Sequence, residues 1–324
     1  MVMDIQDVFK HYTDEMGMVE GLIRKQQSSY VHLIPDIADH ITGSGGKRLR
    51  PLLLIISSDL CGYKGDRRLS LASVMEFIHT ASLLHDDVID HAVIRRGKPS
   101  ANSIWGNSAS VLVGDYLYSS SFGILAEDGD QTVQKLLATT TSSMAEGEII
   151  QLAKCGDINA TEKEYFSVIE KKTAILISAA CAIGAILAKA TESEIQALAR
   201  FGMRLGTAFQ LTDDTLDYVA REDGFGKTIG MDLKEGKITL PLIRTFKACD
   251  PDEKKIIGKA VENTEEDHIE EVTSLIDKYE GIKYSLEKAD RLIEEGKAFL
   301  EVFEDSIPKE GLLAIADYVV ERKL

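Results

Sequence analysis

Three carboxylates, Asp86, Asp87 and Asp90, close an apolar run that begins Ser82-Leu83-Leu84, and Arg95-Arg96-Gly97 follows shortly after. At about 100° per residue these carboxylates fall at roughly 0°, 100° and 40° around a helix, so they are expected to share one acidic arc. Carboxylates crowded beside apolar neighbours take up protons or bind a cation. The spacing recurs at Asp213, Asp214 and Asp217, again behind an apolar run, Phe209-Gln210-Leu211. One short acidic run is ordinarily a solvated face. A duplicate at identical spacing in apolar helices points instead to a shared site for hard divalent cations, which take oxygen ligands from a few carboxylates and from substrate phosphates. A calcium loop of EF-hand type is excluded, because its alternating ligands and central glycine are missing.

The cations have both ordinary and functional readings. Gly43 to Pro51 is a glycine-rich turn running into a basic helix start, a pattern that suits an anion site but also an exposed turn. Arg95-Arg96 is placed to bind phosphate oxygens, and neutralising a helix C-terminus would not explain its pairing with the acidic arc. Lys172-Thr173, Lys227 and Lys237 are surface positions by default. Gln210 shares a face with Asp214, and His79 lies seven residues before Asp86; a hydrogen-bonded core residue is the bland account of each. No nucleophile with its base, no dinucleotide loop and no Walker loop is present. Metals, cations and an apolar interior suit a departing diphosphate whose charge is stabilised while an apolar cavity shelters a carbocation.

Such groups need helices to position them. Helical spacing recurs nearly everywhere and strand signals are scarce, so an all-α fold is expected. The predicted helices cover 4–24, 28–41, 48–61, 67–92, 101–127, 131–154, 161–189, 192–221, 234–248, 252–279 with a break near 264, 282–303 and 309–322. Each acidic arc lies toward the end of a long helix, and a helical bundle is an architecture that hosts metal sites of this kind. Six prolines and no long Gly/Ser/Pro segment favour a single domain over 1–324. A net charge of -16 argues against nucleic acid as a partner. Four scattered cysteines, no leader pattern and no apolar stretch of spanning length predict a cytoplasmic chain without a membrane span.

The chain resembles the trans-polyprenyl diphosphate synthases. The resemblance rests on Gly-Gly-Lys-Arg-Leu-Arg-Pro at 45–51, Leu-Leu-His-Asp-Asp-Val-Ile-Asp at 83–90, Arg-Arg-Gly at 95–97, Gly-Asp-Tyr-Leu at 114–117 and Lys-Thr-Ala at 172–174. Phe-Gln-Leu-Thr-Asp-Asp-Thr-Leu-Asp-Tyr at 209–218 and the stretch from Gly226 to Pro241 complete it. It implies an isoprenoid-synthase helical bundle with a central active-site cavity, a homodimer, and magnesium led by Asp86, Asp90 and Asp213 with Asp87, Asp214 and Asp217 in support. Lys47, Arg50, His79 and Arg96 would bind isopentenyl diphosphate. Arg95, Lys172, Thr173, Gln210, Lys227 and Lys237 would serve the allylic diphosphate. Short-chain members often carry an aromatic four or five residues before the first aspartate. Ser82 and Ala81 stand there, and with Ile78 below them they leave room for a long tail, resembling the long-chain branch and its octaprenyl diphosphate synthases. Shorter farnesyl or geranylgeranyl products are the alternative. A class I terpene cyclase would not need the isopentenyl site, and a non-catalytic helical subunit would not need complete acidic arcs. Transient membrane contact would serve product release.

Overall fold

The computed structural model describes residues 3–43, 48–219, 230–262 and 268–321. Helices make up nearly all of it: α1 Ile5–His11, α2 Thr13–Gln27, α3 Leu33–Thr42, α4 Leu49–Leu60, α5 Arg67–Ile89, α6 Ala101–Trp105, α7 Asn107–Asp128, α8 Gln131–Lys154 and α9 Glu162–Ile169. They continue with α10 Ile175–Leu187, α11 Glu192–Leu216, α12 Met231–Lys234, α13 Leu240–Ala248, α14 Pro251–Glu262, α15 Ile269–Lys278, α16 Gly281–Ala298 and α17 Ile307–Glu321. A π-helical turn, Glu170–Ala174, joins α9 to α10. The single hairpin pairs β1 Ile94–Arg95 with β2 Lys98–Pro99 among the described residues.

Several helices expected to be continuous are broken for local reasons. Tyr12 leaves helical geometry and is buried, separating α1 from α2. Gly106, at φ 84°, separates α6 from α7 in a backbone region that a side chain disfavours. The segment expected as one helix over 161–189 contains the π turn. Helix starts carry their own signals: Asp4 and Thr161 each form a capping box with the acidic residue three positions on, which satisfies N–H groups that have no intrahelical partner.

The chain groups into two compact units. The first comprises Met1–Thr141, Ala179–Ala199 and Val302–Ala314, and the second comprises Ser142–Ser178, Arg200–Glu301 and Ile315–Leu324. In the first, α5 is the central helix. Its consecutive residues Leu71 to Ile78 are all buried, and α2, α3, α4, α6 and α7 pack against it. A helix apolar around its whole circumference can sit only in such surroundings. α4 is similarly enclosed, with Leu52, Leu53, Leu54, Ile55 and Ile56 at zero exposure. The second unit has its own core, in which Tyr218, Leu242, Ile257, Val272 and Ile276 gather side chains from α13, α14 and α15.

Within the first unit α10 crosses α4 at Gly184, where an added Cβ would lie 2.6 Å from the Ser58 amide nitrogen and 2.7 Å from the Leu54 carbonyl oxygen. Backbone atoms on the opposing helix cannot step aside as a flexible side chain would. Gly184→Ala is therefore expected to destabilise the fold by about 1–3 kcal/mol, the usual cost of overpacking, read as a lower denaturant midpoint; an unchanged midpoint would show that the helices separate freely.

Candidate active site

In the first unit, the first acidic arc divides. Asp87 is fully buried, whereas Asp86 and Asp90 are half-buried. Four residues of α-helix bring Asp86 and Asp90 nearly into line, while Asp87 points about 100° away, toward the core. There both Nε and Nη2 of Arg95 reach Asp87 Oδ1 at 2.6 Å. The hairpin makes this possible. Its two-residue connection, Arg96 and Gly97, has positive φ at both positions, the backbone twist that lets a tight turn match its strands. Ser100 secures the return by bonding Val93 O through its N–H and Ala92 O through its hydroxyl, and Asn102 donates to Asp87 O at 3.1 Å. The expectation that all three carboxylates face one ligand is thus corrected: Asp87 is turned inward and takes the Arg95 guanidinium with it.

The same unit gathers cations beside this arc. Arg48, in left-handed geometry just before α4, is held by Glu20 at 2.6 Å and Glu76 at 2.5 Å. Arg50, in the first turn of α4, has a buried Nε with no hydrogen-bond partner among the described residues. Burial, together with the Arg96 charge and despite Glu76, lowers its pKa to about 10. His79 is pushed well below its ordinary range by burial and by Arg50, Arg96, Arg95 and Arg48, so its imidazole is neutral. An anion placed here would offset the positive charge that acts on Arg50 and His79. The structure thereby brings Arg50, His79 and Arg96 together; Lys47 lies outside the described residues.

Below Asp86 on α5, the Ser82 hydroxyl folds back onto His79 O at 2.8 Å and the residue keeps some exposed surface. Ala81 and Ile78 have none.

The second unit holds a cavity of about 130 Å³ lined by Lys172, Thr173, Gln210, Asp214 and Lys237, all expected from the sequence, and by Tyr165 and Asp232, which were not. The second arc divides as the first does. Asp213 is exposed and Asp217 half-buried, while Asp214 turns inward at 8 % exposure. Its Oδ2 accepts from Tyr165 Oη and its Oδ1 from Gln210 Nε2, both at 2.7 Å. Burial raises Asp214 to about 6 against the lowering effect of those two bonds. Asp217 binds the start of α12, its Oδ2 accepting the Asp232 N–H at 2.9 Å. Lys172 stands 2.5 Å from Glu148 and Lys237 2.7 Å from Glu235. Lys227 lies outside the described residues. Asp232 falls in a motif the sequence displays, Gly-Met-Asp-Leu-Lys, without a spacing that marks it; Tyr165 carries no sequence signal of its role.

Among the described residues no helix is long and apolar enough to cross a membrane. The family model described as polyprenyl synthetase matches residues 31–279. The octaprenyl diphosphate synthase of Escherichia coli (strain K12) is 37% identical over 321 residues, covering 99% of each chain. Among solved structures, a decaprenyl diphosphate synthase from Rhodobacter capsulatus is 37% identical with a TM-score of 0.94, covering 98% of this chain and 99% of its own. A polyprenyl synthase from Caulobacter crescentus CB15, complexed with calcium and isoprenyl diphosphate, is 36% identical with a TM-score of 0.95, covering 100% of this chain and 99% of its own. Relatedness along the full chain, joined to the divided acidic arcs and the arginine cluster, makes this chain a member of the polyprenyl synthetase family and a prenyltransferase.

Proposed function

We propose that the chain acts as one polyprenyl synthase domain that elongates an allylic diphosphate, farnesyl diphosphate as primer, by successive head-to-tail condensations with isopentenyl diphosphate. The product is a long all-trans polyprenyl diphosphate, octaprenyl in particular, made in the cytoplasm for quinone side chains. The observation that carries this reading is the Arg50–His79–Arg96 cluster, in which a buried guanidinium nitrogen has no partner among the described residues and a neutral imidazole is surrounded by cations. A second diphosphate site of this kind is what separates an elongating enzyme from a cyclase.

Arg50, Arg96 and Lys47 would hold the isopentenyl diphosphate by charge-assisted bonds, and neutral His79 can add a hydrogen bond without adding charge. Lys172, Thr173, Gln210, Lys227 and Lys237 would orient the allylic diphosphate, with Arg95 acting from its seat on Asp87. Asp86 and Asp90 in the first unit and Asp213 in the second would each offer carboxylate oxygens to magnesium, a cation that takes carboxylate, phosphate and water ligands and would neutralise the leaving diphosphate. The allylic C–O bond breaks, the isopentenyl double bond attacks the resulting cation, and a proton is lost, with the released diphosphate as its acceptor. Exclusion of water by the apolar helices protects the cation.

Two readings of product length compete. Small residues at Ala81 and Ser82 favour a long tail, and a product of farnesyl or geranylgeranyl length is the alternative. A homodimer is supported by α7, whose outer face carries Val111, Leu112 at 66 % and Phe122 at 41 % exposure, more apolar surface than a solvated helix ordinarily shows.

Incubation with farnesyl and isopentenyl diphosphates and magnesium should give a product of about forty carbons on chromatography, and nothing when the metal is chelated; hydrocarbon from farnesyl diphosphate alone would indicate a cyclase. Ser82→Phe should shift the product by at least one isoprene unit toward shorter chains, and an unchanged length would remove this stripe from the tunnel wall. Leu112→Glu should convert a dimer into monomer by light scattering, because a carboxylate in an apolar interface lacks a partner; an unaltered mass would assign the contact to another face.

A further inference from the structure

The hydrogen bonds around Asp214 run in one direction. Tyr165 Oη and Gln210 Nε2 each donate to it at 2.7 Å, so both carboxylate oxygens are occupied. With its amide nitrogen committed there, Gln210 presents Oε1 to the Thr173 hydroxyl, which donates at 3.0 Å. A flipped Gln210 would set an amide oxygen against a carboxylate oxygen, so the amide has one sensible orientation.

The same contacts join two elements along their length. Gly206, Gln210 and Asp214, spaced by four, form one stripe of α11. The segment from Tyr165 to Ala174 runs antiparallel along it: Tyr165 meets Asp214, Thr173 meets Gln210, and a Cβ on Gly206 would lie 2.6 Å from Ala174 Cα. Tyr165 is secured from its own side too. It sits in the first turn of α9, whose capping box uses Glu164, and Glu164 is held by Lys154 at 2.8 Å. Between this fixed start and the Lys172-Thr173 pair lies the π turn, whose extra residue leaves the direction of following side chains less determined by regular helix geometry. Something outside the turn must set that direction.

We propose that Tyr165 is a positioning residue for the allylic-diphosphate end of the site, an inference that rests on the prenyltransfer reading above. Its hydroxyl anchors Asp214, Asp214 orients Gln210, and Gln210 fixes the Thr173 hydroxyl and with it the backbone carrying Lys172. Tyr165 acts through these groups, its hydroxyl being used on Asp214.

Tyr165→Phe keeps the ring and removes only the donor. The expected result is a loss of about tenfold in kcat/KM for the allylic diphosphate, the scale of one hydrogen bond to a charged group, with KM for isopentenyl diphosphate changed less than about twofold. In the double variant Tyr165→Phe/Thr173→Val the loss should equal that of Thr173→Val alone, because both changes interrupt one chain; independent effects would multiply. Unchanged allylic kinetics, equal losses for both substrates, or multiplying losses would each overturn the inference. If circular dichroism shows that Tyr165→Phe does not fold, Tyr165→Met also removes the donor while keeping a long apolar side chain, and is held to the same criteria. A wild-type protein inactive with both substrates and magnesium overturns the elongation reading itself, whereas an active wild type with an unaffected Tyr165→Phe overturns only the role of Tyr165.

Discussion

A charge removed from water must be met by another charge or by hydrogen bonds, and the placement of functional groups in this protein follows from how that requirement is met. Asp87 lies at zero exposure and is tolerated because Arg95 reaches it. Removing one member of such a pair costs about 3–5 kcal/mol, since the other is left buried and unpaired. Arg48 is similarly committed to Glu20 and Glu76. Arg50 differs, its Nε buried without a partner among the described residues while Arg96 adds positive charge against the pull of Glu76. A buried guanidinium nitrogen without a partner, with a second arginine charge acting on it, is a group that an anionic ligand can complete.

Departures from regular helix carry much of the positioning. The hairpin after α5 turns the chain back so that Arg95 meets a carboxylate eight residues behind it. The π turn after α9, which carries Lys172 and Thr173, brings Ala174 against Gly206 at a distance that any side chain on Gly206 would forbid. A straight helix offers each side chain one direction every 100°; a tight turn or an extra residue supplies directions that this repeat cannot.

What was legible in the sequence was whatever depends on local spacing. The helical class, most helix spans and the two acidic arcs follow from periodicities of three to five residues, and the structure has them close to where they were expected. The hairpin was not legible, because Ile94 to Pro99 is too short for an alternating pattern and its cause is an ion pair formed by folding. The π turn was hidden because Glu170 to Ala174 satisfies ordinary helical spacing; packing against α11 and α8 decides its geometry. Tyr165 was missed for a related reason: its partner lies 49 residues away, and a tyrosine in the first turn of a helix announces nothing. Ile78 shows a different limit. Four-residue stacking puts it beneath Ser82 on α5, whereas the space beside it depends on the helices packed around it, which local spacing does not encode.

The two arcs, read together, refine the spacing that first marked them. In each, the first and fifth positions lie nearly in line along the helix while the second points away, and in each the second carboxylate is buried and fully directed inward: Asp87 to an arginine, Asp214 to a tyrosine and a glutamine. Because the partners differ in charge, type and chain position, the shared outcome comes from helix geometry rather than from one repeated contact. A metal site needs outward oxygens whose helix cannot roll away under the pull of a divalent cation. An inward carboxylate one residue along resists that roll, since turning the helix would strip a buried charge of its bonds. On the proposed reading the adjacent pair of aspartates would combine a ligand with the anchor that holds the ligand's direction, which would account for a spacing with two adjacent carboxylates and not only the aligned pair.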